Sequence, residues 1–205
     1  MASRKKAEVR KSEILGCFYE IIVEQGIEGA SIGRIAKRMN IHPSLIMHYF
    51  STKENMIIEL VDYIIDKYWS LLRNIRVEHA DPDERLHELM DILWGDEWYR
   101  TTDISADFSV IAISFHNHEV SERLQRLYSR FKTYLCEEFR TFMDAGVIRE
   151  QDPVHAAEIV LSMLEGYRHF NHFYVDKPRT GQYRQDMKRS ALMFLRHGLD
   201  EQAAG

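Results

Sequence analysis

Histidines are the residues in this sequence whose type and spacing could hold a metal ion. His116 and His118 lie two residues apart, and His169 and His172 lie three apart, a spacing that suits two ligands on one helix. No carboxylate or cysteine stands at a matching distance to complete a tetrahedral site. We therefore interpret these histidines as surface or hydrogen-bonded residues, and we expect no metal.

Catalytic chemistry finds little support elsewhere in the sequence. Cys17 and Cys136 each fall inside an apolar helical pattern and form no metal-type pair, which predicts small reduced core residues. There is no glycine-rich phosphate loop, no nucleophile elbow and no Cys/His pair near a turn. We expect a protein that is not an enzyme and that uses no cofactor.

A third group of residues could recognise nucleic acid. The segment 43–50 predicts a short helix that buries Ile46 and Phe50 on one face. The opposite face presents Ser44, Leu45, Met47, His48 and Tyr49. This face is short and has polar tips, which suits it to the DNA major groove, where one helix fits.

The elements around this segment would position it. An amphipathic helix runs from Ser12 to Gly26, and Ser31 is a good N-cap for a second, short helix. Asn40, which tolerates a left-handed turn, separates the second helix from the third by three residues, and this is helix-turn-helix spacing. The run 51–54, Ser-Thr-Lys-Glu, predicts a capping box that opens a long fourth helix.

The rest of the chain also predicts helices and no strands. Asp81-Pro82 and Asp152-Pro153 are helix starts, and a looser stretch at 95–102 separates two helical patterns. Ten glycines and four prolines among 205 residues are few chain breakers. The sequence therefore predicts an all-α fold of about nine helices.

Charge is distributed unevenly along the chain. Residues 1–55 hold nine Lys/Arg and six Asp/Glu, a net charge of +3. The remaining residues carry a net charge of −8, so the whole chain has a net charge of −5. A basic head on an acidic body fits a nucleic-acid-binding module joined to a different domain. No apolar run approaches the roughly 18 residues of a bilayer span, so we expect no membrane association.

Residues 12–56 resemble the DNA-binding domain of the tetracycline repressor (TetR) family. The core of the resemblance is the run SIGRIAKRMNIHPSLIMHYFSTKENM. The family pattern is met at Ser31, Ile32, Ile35, Ala36, Ile41, Ile46, Tyr49, Phe50, Thr52, Lys53, Glu54 and Met56. The chain length and the helical C-terminal region agree with the family, and that region is similar to the ligand domain of betaine regulators.

The resemblance implies which side chains contact DNA. Those facing bases and phosphates would be Ser44, Leu45, Met47, His48 and Tyr49. Ser31 and Lys53, at the starts of the second and fourth helices, would bind phosphates. Three positions depart from the family: Asn40 replaces the usual glycine, His42 the usual capping serine, and Met47 the common tyrosine. These departures bear on the operator sequence and leave the fold unaffected.

The function that the resemblance implies is ligand-responsive regulation of transcription in the cytoplasm. A helix-turn-helix domain over residues 1–52 would bind a palindromic operator, and a helical domain over residues 53–205 would bind the effector and dimerise. The chain would act as a homodimeric repressor that a small molecule releases from double-stranded DNA. The alternative is a helical protein-interaction module without an effector.

Two further sites follow in the C-terminal region. A homodimer interface is predicted on the last two helices, where more than one face is apolar, at Ser162, Gly166, Ala191 and Phe194. A mostly aromatic pocket for an apolar, amphipathic or cationic molecule is predicted from Tyr68, Trp69, Leu72, Trp94, Trp98, Phe108, Ile111, Phe115, Phe131 and Tyr167. A fully packed core without a ligand is the alternative for these aromatic residues.

Overall fold

The structure, a computed structural model, describes residues 2–72, 81–101, 103–149, 151–173 and 179–198. Over these residues the chain forms ten helices and no strand, which confirms the all-α prediction. The helices are α1 (Ala2–Gly29), α2 (Ile32–Met39), α3 (Pro43–Phe50), α4 (Lys53–Leu72), α5 (Pro82–Leu93), α6 (Asp96–Thr101), α7 (Ile104–Ser114), α8 (His118–Asp144), α9 (Pro153–Phe173) and α10 (Thr180–His197). Helix α6 lies in the stretch that was expected to be loose, and it accounts for the tenth helix.

Packing divides the chain into two compact units. Unit 1 comprises Met1–Tyr68 and Thr102–Leu127, and unit 2 comprises Trp69–Thr101 and Tyr128–Gly205. Two of the three divisions fall within α4 and α8, and the third falls between α6 and α7. The predicted domain boundary at residues 52 and 53 stays a prediction. None of the described helices has the length and apolar character needed to cross a bilayer.

Local capping explains why α2 and α3 begin and end where they do. The Oγ of Ser31 accepts a hydrogen bond from the backbone N–H of Arg34, and Asn40 closes α2 in the left-handed region at φ 52°. The ring of His42 accepts from the N–H of Ser44, with Pro43 at the first helical position. The non-glycine turn at Asn40 is therefore built as the sequence indicates.

The start of α4 differs from the predicted capping box by one residue. Ser51 lies at φ 62° and ends α3, its N–H bonding to the carbonyl of Met47. The N-capping side chain is Thr52, whose Oγ1 accepts from the N–H of Asn55 at 3.1 Å. A capping residue needs extended backbone, and Ser51 does not have it.

The core of unit 1 supports the helix-turn-helix. Helix α2 packs on both α1 and α3, and α1 also packs along α7. Helix-turn-helix packing predicts that Ile35, Ala36, Ile41, Ile46 and Phe50 pack against α1. All of these side chains are buried except Ile41, which is half-buried. Gly26, at φ 71°, interrupts the helical backbone of α1 before its last three residues.

In unit 2, α10 packs on α9 and on α5, and α6 packs on α5, while α8 also contributes buried side chains. The buried side chains of unit 2 include Leu89, Trp94, Phe139, Leu164 and Leu195. One charged pair lies among them: the Nε of Arg85 is 3.0 Å from an oxygen of Glu138, whose side chain has no exposed surface. The Arg85 guanidinium also lies 5.3 Å from the centre of the Phe142 ring.

Candidate nucleic-acid interface

The outer face of α3 is the candidate recognition surface. Ser44 and His48 are exposed, Met47 is 41% exposed, and Leu45 and Tyr49 are half-buried. The rings of His48 and Tyr49 meet edge to face with centroids 5.6 Å apart, so each restricts the other. The outer face of α3 therefore carries polar side-chain groups of the kind that contact base edges in the major groove.

Two predicted phosphate ligands flank this face and already hold protein partners. The hydroxyl oxygen of Ser31 accepts from Arg34, which leaves its O–H free to donate. The half-buried Lys53 donates from Nζ to the backbone carbonyl of Ile27 at 3.1 Å. Contact with a phosphate would require the Lys53 ammonium to share its three donors between Ile27 and DNA.

The basic side chains of α2 differ in what they contact. Arg38 forms a paired interaction with both carboxylate oxygens of Glu24, at 2.7 and 2.8 Å, and so fastens α2 to α1. Arg34 donates to the side chain of Gln25 and the carbonyl of Gly29. Lys37 is exposed on the same helix.

Three of the predicted effector residues meet in unit 2. The Trp98 and Phe131 rings are stacked at 5.5 Å, and Trp69 meets Phe131 edge to face at 6.4 Å. Tyr134 packs edge to face on Trp69 at 5.9 Å. We call Trp69, Trp98, Phe131 and Tyr134 the aromatic cluster. The guanidinium of Arg130 lies over its Trp69 ring, 4.9 Å from the centroid.

Tyr167, another predicted effector residue, belongs to a separate group in the same unit. Its ring lies 5.2 Å from Tyr99 and 5.3 Å from Tyr183. Burial raises the pKa of both Tyr99 and Tyr167, because the phenolate loses its hydration. Trp94 is buried, and its indole N–H has no hydrogen-bond partner among the described residues.

The remaining predicted effector residues lie at other places. In unit 1 the Tyr68 hydroxyl donates to Asp107 at 3.0 Å, and Phe108 lines a surface groove. Ile111 is half-buried, whereas Phe115 is 77% exposed at the end of α7. Leu72 lies in α4, but its side chain is outside the described residues.

Some of the residues predicted to form the dimer interface are buried within the protomer, and others lie at its surface. Ala191 and Phe194 are buried within unit 2, so their side chains contribute to the protomer's own core. Ser162 is exposed, and a Cβ added at Gly166 would meet nothing within 4 Å. Among the described residues, the large apolar side chains that α9 and α10 expose are Val154, Phe170, Phe173 and Met193.

The paired histidines lie at the surface. His116, His118, His169 and His172 are all exposed. His118 is 3.4 Å from Glu122, and His169 and His172 pack against Phe173. No group of three His, Cys, Asp or Glu within the described ranges could hold a metal ion.

Sequence reasoning missed Arg130 and Tyr134, which complete the surroundings of Trp69. Tyr134 follows Phe131 by three positions, and side chains at this spacing share a helix face. That spacing could have identified Tyr134. The position of Arg130 over an indole on another helix has no local signal in the sequence.

Comparison with known proteins gives concordant results. Residues 81–196 match the family model "Tetracyclin repressor-like, C-terminal domain", and residues 19–60 match "Bacterial regulatory proteins, tetR family". The HTH-type transcriptional regulator BetI of Burkholderia cenocepacia is 24% identical over 165 residues, covering 78% of this chain and 80% of that protein.

Solved structures share the fold. A TetR transcription regulator from Haloarcula marismortui superposes with a TM-score of 0.78 at 21% identity, covering 89% of this chain and 97% of that one. A transcriptional regulator from Saccharomonospora viridis in complex with choline gives 0.74 at 21% identity, covering 89% and 95%. The match over most of the C-terminal region, joined to the helix-turn-helix in unit 1, shows that the chain belongs to the tetracycline repressor family, whose members are transcriptional regulators rather than enzymes.

Proposed function

We propose that this regulator is a homodimeric repressor that binds a palindromic operator and leaves it when a small organic cation binds the aromatic cluster. The outer face of α3 supports the DNA-binding proposal. Ile46 and Phe50 are buried on the inner face and hold the helix in place, so the side chains of the outer face are available to contact DNA. Phosphate contacts from Ser31 and Lys53 would set the register of that helix on the duplex.

The observation that carries the effector proposal is the position of Arg130. Its guanidinium lies 4.9 Å from the Trp69 ring centroid, so the cluster already contacts one cation through an aromatic face. Quaternary ammonium groups are recognised in the same way, each contact contributing about 0.5–2 kcal/mol. The choline complex of the Saccharomonospora viridis protein makes choline the natural first compound to test.

Dimerisation through α9 and α10 is supported by the apolar surface that these helices expose. Phe170, Phe173 and Met193 are 51%, 57% and 58% exposed in the single chain. Ser162 and the open side of Gly166 would let a second α9 approach closely. An isologous pair of this kind would place two recognition helices on half-sites about 34–36 Å apart.

Helix α4 provides a route between effector and operator. Lys53 lies in its first turn, directly after the recognition helix, and Trp69 lies near its other end. A ligand that changes the position of the Trp69 side chain would act on the helix whose first turn carries Lys53. The coupling is reciprocal, so operator and effector must weaken each other by the same factor.

The experiment is a fluorescence-anisotropy titration of the protein with DNA from upstream of its own gene and with a scrambled duplex of equal length. Choline should raise the operator Kd at least fivefold. Its neutral isostere 3,3-dimethylbutan-1-ol should not, because it lacks the charge that the rings bind. Equal affinity for both duplexes would overturn the operator proposal and favour a protein-interaction module. An operator Kd that neither choline nor longer quaternary amines change would overturn the effector proposal.

A further inference from the structure

A groove on unit 1 shares no residue with the outer face of α3 or with the aromatic cluster, and Phe108, one of the predicted effector residues, lines it. It has a volume of about 600 Å³ and runs between the last turn of α1 and the outer side of α7. That volume falls in the usual range for small-molecule sites, roughly 300–1,000 Å³. We propose that this groove binds a small amphipathic cation, with an alkyl or aryl body and an ammonium end.

The apolar body would lie on the floor of the groove. Ile27 lines it from α1, and Phe108, Ala112 and Ile113 line it from α7. Ala112 is exposed and small, so it leaves space where a larger side chain would fill the groove. Apolar area that water covers in the free protein is the main source of affinity for such a ligand.

The sign of the ligand charge follows from the rim. Glu28, at the rim on α1, carries the one full charge among the described lining residues, and no lysine or arginine is among them. An anion would meet this carboxylate without a compensating group, whereas an ammonium would be attracted to it. The Phe108 ring adds an aromatic face that tolerates a cation.

Hydrogen-bonding groups at the α7 end of the groove would orient a polar substituent. The side-chain oxygen of Asn117 accepts from the N–H of Val120, which leaves the amide N–H₂ as a donor. His116 lies beside it and is exposed. A hydroxyl or carbonyl on the ligand could therefore bind at this end.

The groove adjoins the segment that positions the DNA-binding helices. The carbonyl of Ile27 accepts from Lys53, and the carbonyl of Gly29 accepts from Arg34. A ligand packed on Ile27 would thus touch the turn to which α2 and α4 are both tied. This consequence rests on the proposed function, whereas binding in the groove does not.

Isothermal titration of the full-length protein with hexyltrimethylammonium tests the site without DNA. Because this cation could also bind the aromatic cluster, the titration is repeated on Trp69→Leu, in which the groove event should persist. Ala112→Trp should weaken that event at least tenfold by filling the groove. Gln125→Trp, which adds the same ring at an exposed position of α8, should leave it unchanged.

The charge is tested separately with Glu28→Gln and its matched control Glu8→Gln. Since Glu28 is exposed, its loss should weaken the hexyltrimethylammonium complex roughly threefold and leave 1-hexanol binding unchanged. Melting temperatures establish that each variant is folded. Wild-type affinity in folded Ala112→Trp, or no groove event in Trp69→Leu, would overturn the site. Wild-type affinity in Glu28→Gln would overturn the cationic assignment.

Discussion

The Nζ of Lys53 donates a hydrogen bond to the backbone carbonyl of Ile27, so the residue expected to bind a DNA phosphate also ties α4 to the last turn of α1. The two roles predict different losses. Lys53→Ala should lower the free energy of unfolding by about 1 kcal/mol, the net value of one such bond. If Lys53 also binds phosphate, the variant should bind every duplex more weakly, with a salt dependence smaller by about one charge.

The control for this experiment is Lys37→Ala, which removes an exposed lysine of α2. Its unfolding free energy should stay at the wild-type value. A Lys53→Ala variant with reduced stability and an unchanged salt slope would show that Lys53 is structural and does not bind phosphate.

Side chains on the outer face of α3 should determine sequence preference. His48→Ala and Tyr49→Ala should each weaken operator binding by about 1–3 kcal/mol, while binding to random duplex changes little. Because the two rings are in contact, the double variant should lose less than the two single losses together. Operator affinity measured by anisotropy at fixed salt checks this. Wild-type affinity in the triple variant with Lys53→Ala would exclude α3 as the recognition helix.

The aromatic cluster should be the site where choline raises the melting temperature. A ligand that binds only the folded state stabilises it, and Trp69→Leu should remove that shift for choline. Phe115→Ala is the matched control, because Phe115 is 77% exposed and lies on α7 of unit 1. Its thermal shift should equal that of the wild type. If Trp69→Leu and Phe115→Ala lost the choline-induced shift equally, choline would not bind at the aromatic cluster.

Removing one partner of the buried Arg85–Glu138 pair should lower the free energy of unfolding strongly, whereas replacing both partners with apolar residues should lower it little. Arg85→Met alone removes the guanidinium that lies 3.0 Å from the fully buried Glu138 carboxylate, and we expect a loss of about 3–5 kcal/mol. The double variant Arg85→Met, Glu138→Leu should recover most of that stability. Urea denaturation of the wild type, Arg85→Met, Glu138→Leu and the double variant measures the coupling, and additive losses would show that the two residues do not interact.

Alkaline pH should destabilise unit 1 through Tyr19. Burial raises the pKa of Tyr19 to about 12 from 10, and its hydroxyl oxygen accepts from the N–H of Asp103. A raised pKa means that the folded state favours the neutral phenol. That stabilisation is complete below pH 10 and is lost as the pH rises through 12. Tyr19→Phe should therefore lose stability less steeply between pH 10 and 12, and a slope equal to the wild type would contradict this.

Local signals in the sequence were sufficient for the helix-turn-helix. Ser31 and Asn40 are residue types with strong positional preferences at helix ends, and both occupy the predicted positions. The burial of Ile46 and Phe50 follows from helical spacing alone. Helix α6 was missed because six residues are too few to show a hydrophobic period.

Tertiary arrangement was less predictable for a physical reason. Periodicity shows that Ala191 and Phe194 lie on an apolar face, but it does not say whether the protomer or a second chain covers that face. The same limit applies to the aromatic residues, of which Trp69, Trp98 and Phe131 meet while Phe115 is exposed. Which helices pack together depends on contacts distant in sequence.

Ser51, the residue at φ 62° that ends α3, has a consequence for how this regulator can change its target. Helix α3, the proposed recognition helix, is limited to eight residues by Pro43 at one end and by Ser51 at the other. It cannot gain a turn to read another base pair without rebuilding the junction with α4. New operator preferences are therefore expected to arise by exchange of side chains at fixed positions, so a library that varies only Ser44, Leu45, Met47, His48 and Tyr49 should contain most of the specificities open to this scaffold.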